Sequence, residues 1–260
     1  MWDAFVAFFI NTLLFIYQLV GNFGVAIILF TILIRLLTHP LTASQMKGSA
    51  AMQELQKDKR WQEMQAKYKN DKEKLSQEQM KLYKELGINP MASCLPTLIQ
   101  FPIIIALYQA VIRALSNTPL DLLNLSRSVY TDFLQVANLI PLKSNFLWMD
   151  LAQPERLNLP FLPFAIPVMA ILVMGTTYLQ SKLMTPAPST GGAQDQTAMM
   201  TGMMNVYMPL LMGYLGLTLA SGLSLYFVVS NVVGILQYSI LGKVNWRNVL
   251  PSPRATAKKK

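Results

Sequence analysis

Apolar segments of about 20 residues recur along the chain, and polar segments that hold most of the charges separate them. Segments of this length with few or no charges are typical of helices that span a lipid bilayer. The pattern therefore predicts an all-α polytopic membrane protein with five transmembrane helices. The predicted spans are residues 23–42, 91–115, 161–183, 203–219 and 222–242.

Residues 1–22 precede the first span and differ from it in composition. They are apolar but interrupted by polar side chains, and they end in the turn signal Gly21-Asn22. This predicts an amphipathic interfacial helix that lies in the outer headgroup region. The alternative is that residues 2–19 form part of a long first span.

Residues 43–90 are rich in Glu, Lys, Gln, Met and Leu, which are good helix formers. We predict a cytosolic hairpin of two antiparallel helices, at residues 43–70 and 75–87. The other connections are an external segment at 116–160, a Pro/Gly/Ser-rich cytosolic loop at 184–202 and a basic cytosolic tail at 243–260.

The net charge of +9 is distributed unevenly along these connections. Residues 43–89 hold ten Lys/Arg and seven Asp/Glu. Residues 243–260 hold six Lys/Arg and no Asp/Glu, whereas residues 116–160 hold three Lys/Arg and four Asp/Glu. Because basic connections stay on the cytosolic side, we expect the hairpin and the tail in the cytosol and the N-terminus outside. An odd number of spans agrees with this orientation. The expected location is the inner or plasma membrane of the cell.

Arg35 is the most informative single residue, because a charged group near the bilayer centre costs about 2.5–3.5 kcal/mol on insertion scales. One interpretation is that it faces a water-filled cavity, together with Thr31 one turn earlier on the same helix face. The other is that its side chain extends to the inner headgroups, since His39 and Pro40 already mark the membrane boundary.

Other polar side chains lie within the predicted spans at helical spacing. They either form ordinary hydrogen bonds between helices or line a hydrophilic groove together with Arg35. The pairs are Thr97 with Gln100, Thr176 with Gln180, Tyr226 with Ser230, and Phe227 with Asn231. From these pairs, the candidates chosen for the groove are Gln100, Gln180, Tyr226, Phe227 and Asn231. Six methionines between residues 199 and 212 provide a deformable apolar surface or fill gaps between helices.

Enzyme chemistry finds little support in the sequence. The chain has one histidine and one cysteine, and it lacks a Gly-rich phosphate loop and the common hydrolase motifs. We therefore expect no enzyme activity, no metal and no cofactor. A channel or small-solute transporter is the alternative function, but it requires a polar path through both leaflets, and residues 25–30 are uniformly apolar.

Several stretches resemble one family, the YidC-type membrane protein insertases. They are GNFGVAIILFTILIRLLTHPL, PTLIQFP and GLSLYFVVSN, together with the charged hairpin that ends at Asn89-Pro90. They occur in the family's order between about Gly21 and Lys243. The lack of a large external domain and of a lipoprotein-type cysteine resembles a minimal core form.

The resemblance implies an insertase that acts alone or beside the secretion translocon, through a groove in the inner leaflet. We expect the polar part of a client to enter this groove and its apolar segment to slide along the second and fifth spans into lipid. The family's arginine matches Arg35, its nearby hydroxyl residue matches Thr31, and its third-span glutamine matches Gln180. Phe227 stands where the family often has Tyr or Trp. The expected partners are nascent membrane proteins, the ribosome through the tail and hairpin, the secretion translocon, the signal recognition machinery and anionic lipids.

Overall fold

The computed structural model describes residues 1–68, 71–87, 95–115, 142–158, 165–184 and 196–241, together with residues 123, 125, 129 and 163. The described part is predominantly helical, as predicted, and adds one short β-hairpin. The helices are α1 Trp2–Val20, α2 Phe23–Leu37, α3 His39–Lys57, α4 Lys59–Lys67, α5 Lys72–Glu85, α6 Leu95–Ala114, α7 Val168–Met184, α8 Gln196–Thr218 and α9 Ser221–Ile240. The strands are β1 Asn145–Phe146 and β2 Met149–Asp150, which pair antiparallel.

A sharp turn separates α1 from α2. Gly21 adopts a left-handed conformation with φ 68°, and its N–H donates to the carbonyl of Tyr17. Asn22 then caps α2, because its side chain accepts from the N–H of Val25 at 3.1 Å. Glycine takes this left-handed conformation at little cost, and Asn is a favoured helix cap. The chain therefore reverses here, and α1 does not continue into α2.

The two ends of α1 contact different helices. Near its end, the Tyr17 ring packs on Phe23 of α2, and at its start the Asp3 carboxylate pairs with Arg113 of α6 at 3.4 Å. Trp2 Nε1 also donates to Gln109 of α6. Because the Phe9 ring also packs on Phe30, helix α1 lies along the first half of α2 and against the end of α6.

The polar segment after α2 forms three helices, α3, α4 and α5, where two had been predicted. Helix α3 begins at His39, and Asp58 interrupts the first predicted helix because its extended backbone and carboxylate cap α4. Asp71 caps α5 in the same way by accepting from the N–H of Lys74. That hydrogen bond holds the pKa of the Asp71 carboxyl below its usual value.

A small apolar cluster joins these three helices. Leu55 of α3, Trp61 of α4 and Leu82 of α5 are almost fully buried, and Met64 and Tyr83 pack against them. The cluster is separate from the main core of the protein. The three helices α3 to α5, which are called the hairpin segment below, are thus held together by their own contacts, with the Trp61 indole at the centre.

Helix α9 lies at the centre of the main helical bundle. It packs against α2, α6 and α7, and α7 packs against α8. Within the described residues, α6 and α8 make no comparable contact with each other. By length and composition, α1 and α9 qualify as membrane-crossing helices, whereas α2, α7 and residues 100–114 of α6 are apolar but shorter.

Residues 142–157, the cap segment, cover the end of the bundle where α2, α7 and α9 begin. The carbonyls of Gln153 and Leu151 accept from the first N–H groups of α9 at 2.8 and 3.0 Å. The Phe146 ring lies directly against Gly24 of α2, where a Cβ atom would overlap it. Glu155 binds the first turn of α7 through the N–H of Met169. Backbone groups at three helix ends are therefore covered by one segment.

Candidate functional site

A cavity of about 310 Å³ opens among α2, α3, α6, α7, α8 and α9. It lies at mid-bundle and toward the end opposite the cap segment, because it is bordered by the last turn of α2 and the first half of α6. One part of its wall is polar and another is apolar. The lining residues are Arg35, Thr38, Leu41, Thr42, Gln100, Phe101, Ile103, Ile104, Thr177, Gln180, Met208, Met212, Tyr226, Phe227, Ser230 and Asn231.

Arg35 supplies the positive charge of this cavity. Its Nε and Nη2 atoms both donate to the hydroxyl of Ser230 on α9, at 2.9 and 2.6 Å. Gln237 of α9 donates from its side chain to the backbone carbonyl of Arg35 at 3.0 Å. No carboxylate lines the cavity among the residues that the structure describes. The guanidinium is thus held by neutral groups, and its charge is not neutralised by a described neighbour.

Thr31 does not reach the cavity, although it lies one turn before Arg35. Its side chain is fully buried, and its hydroxyl donates to the carbonyl of Ile27 at 2.6 Å. A hydroxyl that is satisfied within its own helix needs no further polar partner. Of the seven predicted groove residues, Thr31 is the one that the structure leaves outside the cavity lining.

Two predicted residues join α6 to α9 inside the cavity. The side-chain amide of Gln100 donates to the hydroxyl of Tyr226, whose ring is almost fully buried. Phe227 follows on α9 and packs on the Tyr226 ring, with centroids 5.7 Å apart. A buried Tyr usually needs a partner for its hydroxyl, and Gln100 supplies one.

Asn231 and Gln180 bring α7 and α9 together at the polar wall. The Asn231 amide donates to the hydroxyls of Thr176 and Thr177, at 3.1 and 2.9 Å. Gln180 lines the cavity one turn after Thr176 and Thr177. Ser181, the residue after Gln180, binds Asn205 of α8. The polar side chains of α7 therefore connect two neighbouring helices.

Several lining residues were not among the predicted candidates. Ser230 had a usable signal, because it lies one turn after Tyr226 on the predicted fifth span. Its contact with Arg35, which lies 195 residues away in sequence, has no local signature. Met208 and Met212, one turn apart on α8, contribute to the apolar wall. The cavity thus combines one cation, several hydroxyl and amide groups and a flexible apolar surface.

Comparison with known proteins identifies the family. The family described as "60Kd inner membrane protein" matches residues 15–247. The membrane protein insertase YidC of Fusobacterium nucleatum subsp. nucleatum is 36% identical over 240 residues, which cover 92% of this chain and 94% of that protein. The membrane protein insertase YidC 1 of Streptococcus pyogenes is 36% identical over 244 residues, which cover 92% of this chain and 74% of that protein.

A solved structure has a similar fold. A crystal structure of an active YidC insertase with its first transmembrane domain resolved superposes with a TM-score of 0.53 at 26% sequence identity. The match covers 86% of this chain and 43% of that chain. Together with the sequence matches, this similarity confirms the resemblance seen in the motifs, and the chain belongs to the YidC family of inner membrane proteins.

Proposed function

We propose that this protein inserts nascent membrane proteins into the lipid bilayer by giving their polar segments a hydrated place in the cavity. The observation that carries the proposal is the environment of Arg35. Its guanidinium faces a cavity of about 310 Å³ without a described carboxylate partner. The relatives from Fusobacterium nucleatum and Streptococcus pyogenes carry the name insertase, which supports this reading.

The polar wall lowers the cost of bringing a client's polar backbone into the membrane. An unsatisfied backbone group costs several kcal/mol in hydrocarbon, because water cannot reach it there. Hydroxyl and amide groups such as those of Thr177, Gln180 and Asn231 offer replacement hydrogen bonds. Arg35 adds attraction for an acidic client segment. The cap segment covers the other end of the bundle, so transfer through the cavity is partial and hydrophobic burial completes it.

The apolar wall supplies a route for the client's hydrophobic segment. Phe101 and Ile104 of α6 and Met208 and Met212 of α8 line the cavity, and the two helices make no comparable contact with each other within the described residues. Methionine side chains are flexible and polarizable, so they adapt to client side chains of different shapes. The sequence favoured a route along α6 and α9, the second and fifth predicted spans. Because the cavity lining from α9 is mainly polar and that from α8 is apolar, we propose instead that the apolar segment leaves between α6 and α8.

The proposed topology has five spans, with the hairpin segment and the tail in the cytosol. In this arrangement the cap segment lies outside, and the cavity opens toward the cytosol and the inner leaflet. The charge distribution supports it, because residues 43–89 and 243–260 are the most basic connections. Helix α1 would lie in the outer interface. Its last turn contacts the beginning of α2 and its first turn contacts the end of α6, and both of these helix ends are on the side of the cap segment.

Site-specific crosslinking in reconstituted vesicles tests the function. A photo-crosslinking residue is placed at Met212, which lines the cavity, or at Leu210, which is exposed on the same helix. A stalled client should crosslink to position 212 through its apolar segment or the residues next to it, and much less to position 210. Equal crosslinking at both positions would mean that the client does not enter the cavity. Ion conductance by the same vesicles without client would support the channel alternative instead.

The partners follow from the charged segments. Residues 251–260, which lie outside the described part, contain four basic residues and no acid. Such a tail attracts anionic lipid headgroups by about 1 kcal/mol per basic residue, and it attracts ribosomal RNA through phosphate charge. We propose contacts of both kinds, with the hairpin segment as a second cytosolic contact for the ribosome. The secretion translocon and the signal recognition machinery are further proposed partners.

A further inference from the structure

Gly234 lies on α9 between two residues that hold Arg35. Ser230, one turn earlier, accepts both hydrogen bonds of the guanidinium, and Gln237 donates to the backbone carbonyl of Arg35. Positions i, i+4 and i+7 share one face of a helix. The face of α9 that Arg35 contacts therefore has Gly234 in its middle, and no side chain fills that position.

Gln180 reaches the same glycine from α7. Helix α9 packs against α2 and against α7, whereas α2 and α7 make no comparable contact within the described residues. A methyl group at position 234 would lie 2.6 Å from Gln180 Nε2 and 3.8 Å from the Cζ atom of Arg35. Carbon atoms in favourable contact are about 3.5–4.0 Å apart, so the methyl group would overlap Gln180 and merely touch Arg35.

We propose that Gly234 determines client specificity, because it is a notch in α9 that lets Gln180 stand beside Arg35 as a second donor for a client carboxylate. This inference rests on the proposed function, in which the client enters the cavity. The guanidinium offers charged N–H donors and the Gln180 amide offers neutral ones, and a carboxylate accepts both kinds. Within the described residues, the Gln180 side chain makes no hydrogen bond, so its amide is available to a client.

The notch has a specific consequence for Gly234→Ala. The Gln180 amide is the end of a flexible side chain, so the added methyl group displaces it while Arg35 stays in ordinary contact. The loss should therefore equal the loss caused by Gln180→Ala. In the double variant the overlap no longer exists, and Gly234→Ala should have no further effect. Helix formation itself is favoured by the change from Gly to Ala.

The experiment measures insertion rates in vesicles for two clients that differ by one Asp→Asn change in the external segment. Gly175→Ala is the matched control, because a Cβ atom at Gly175 on α7 would meet nothing within 4 Å. We expect Gly234→Ala to slow the Asp client, with a coupling to Gln180→Ala of at least about threefold, within the range for contacting residues. The Asn client and Gly175→Ala should stay near the wild-type rate.

Two results would contradict the proposed role of Gly234 in client specificity. One is additive effects of the two substitutions in the double variant, and the other is an equal effect of Gly234→Ala on both clients. If Gly234→Ala alone fails to fold while the double variant folds and inserts like Gln180→Ala, the overlap with Gln180 is supported. If neither of these variants folds, the notch is rejected as a specificity device and Gly234 is a packing residue. Failure of the proposed function would look different, because wild-type protein would then insert neither client.

Discussion

Arg35 and Ser230, which lie 195 residues apart in sequence, form a two-bond contact between the last turn of α2 and the middle of α9. The hydroxyl oxygen accepts from Nε at 2.9 Å and from Nη2 at 2.6 Å. This contact fixes the direction of the guanidinium without cancelling its charge. It therefore presents a positive group to the cavity in a defined place.

Replacing Arg35 should distinguish charge from packing. Arg35→Ala should slow insertion of a client with an acidic external segment about tenfold or more, because hydrogen bonds to charged groups contribute about 1.5–3 kcal/mol. Arg35→Lys should keep much of the activity, since it retains the charge but loses the planar fork. Insertion is measured by protease protection of matched clients that differ by one or two Asp residues.

The matched neutral client is the control for Arg35. It should lose little rate in Arg35→Ala, because no carboxylate is attracted. Equal loss for the acidic and the neutral client would argue against electrostatic attraction. Wild-type rates for both clients in Arg35→Ala would mean that the cavity charge has no role in insertion.

The site was only partly predictable from sequence, and the reason lies in its contacts. Arg35 stood out because a charge within an apolar span is costly, and Gln100, Gln180 and Tyr226 stood out as polar residues at helical spacing. The structure brings these residues to one cavity, together with Phe227 and Asn231. The spacing rule failed for Thr31, because its hydroxyl is satisfied by a carbonyl of its own helix.

The fold was predictable where composition is decisive and less so where single side chains decide. The helical class follows from the long apolar segments, and it is confirmed. The break at Asp58 and the β-hairpin near Phe146 were missed, because a capping carboxylate and a two-residue strand leave a weak signal. The expectation that the chain is not an enzyme is confirmed by the family, whose relatives carry the name insertase.

Cysteine labelling should report the proposed topology. Single cysteines at Lys72 and Lys258 should react with a membrane-impermeant reagent only from the cytosolic side, because both lie in basic connections. A cysteine at Asn138 should react only from outside. The native Cys94 is first replaced by Ser. Labelling of position 72 from outside would overturn the five-span arrangement.

Removal of residues 251–260 should weaken ribosome binding in a salt-dependent way. Binding through phosphate charge declines as salt rises, and fewer basic residues give a shallower decline. Co-sedimentation of reconstituted protein with ribosomes at several salt concentrations measures this effect. A variant in which Arg254 and Lys258–Lys260 become Gln keeps the length of the tail and serves as the matched control. Unchanged co-sedimentation in both variants would remove ribosomal RNA as a partner of the tail.

Trp61→Ala should loosen the hairpin segment and leave the cavity intact. The Trp61 ring is 1% exposed and contacts the cluster that joins α3, α4 and α5. Truncation of a buried Trp lowers the free energy of unfolding by about 3–5 kcal/mol. A cluster of three buried side chains is too small to hold the three helices together after such a loss. Hydrogen exchange should become faster in α4 and α5 but not in α9. Met80→Ala on α5, where the side chain is 54% exposed, is the control and should change little.

Glu155 should stabilise the cap segment by satisfying two donors at once. Its carboxylate is almost buried and accepts from Trp148 Nε1 at 2.8 Å and from the N–H of Met169 at 3.0 Å. Met169 is in the first turn of α7, where N–H groups have no partner within the helix and negative charge is favourable. Glu155 therefore links the cap segment to the start of α7.

Glu155→Ala should lower the free energy of unfolding by about 1–3 kcal/mol for each donor that stays buried without a partner. Glu155→Gln should have an intermediate effect, because a single amide oxygen replaces two carboxylate oxygens and the charge at the helix start is lost. Thermal unfolding in detergent gives the order of stability, and hydrogen exchange at Met169 and Ala170 locates the change. Arg156→Gln, at an exposed neighbouring position, should behave like the wild type. Glu155→Ala could instead unfold at the wild-type temperature while exchange at Met169 stays slow. That result would mean that the carboxylate does not hold α7. The backbone contacts of Leu151 and Gln153 with α9 would then keep the cap segment in place.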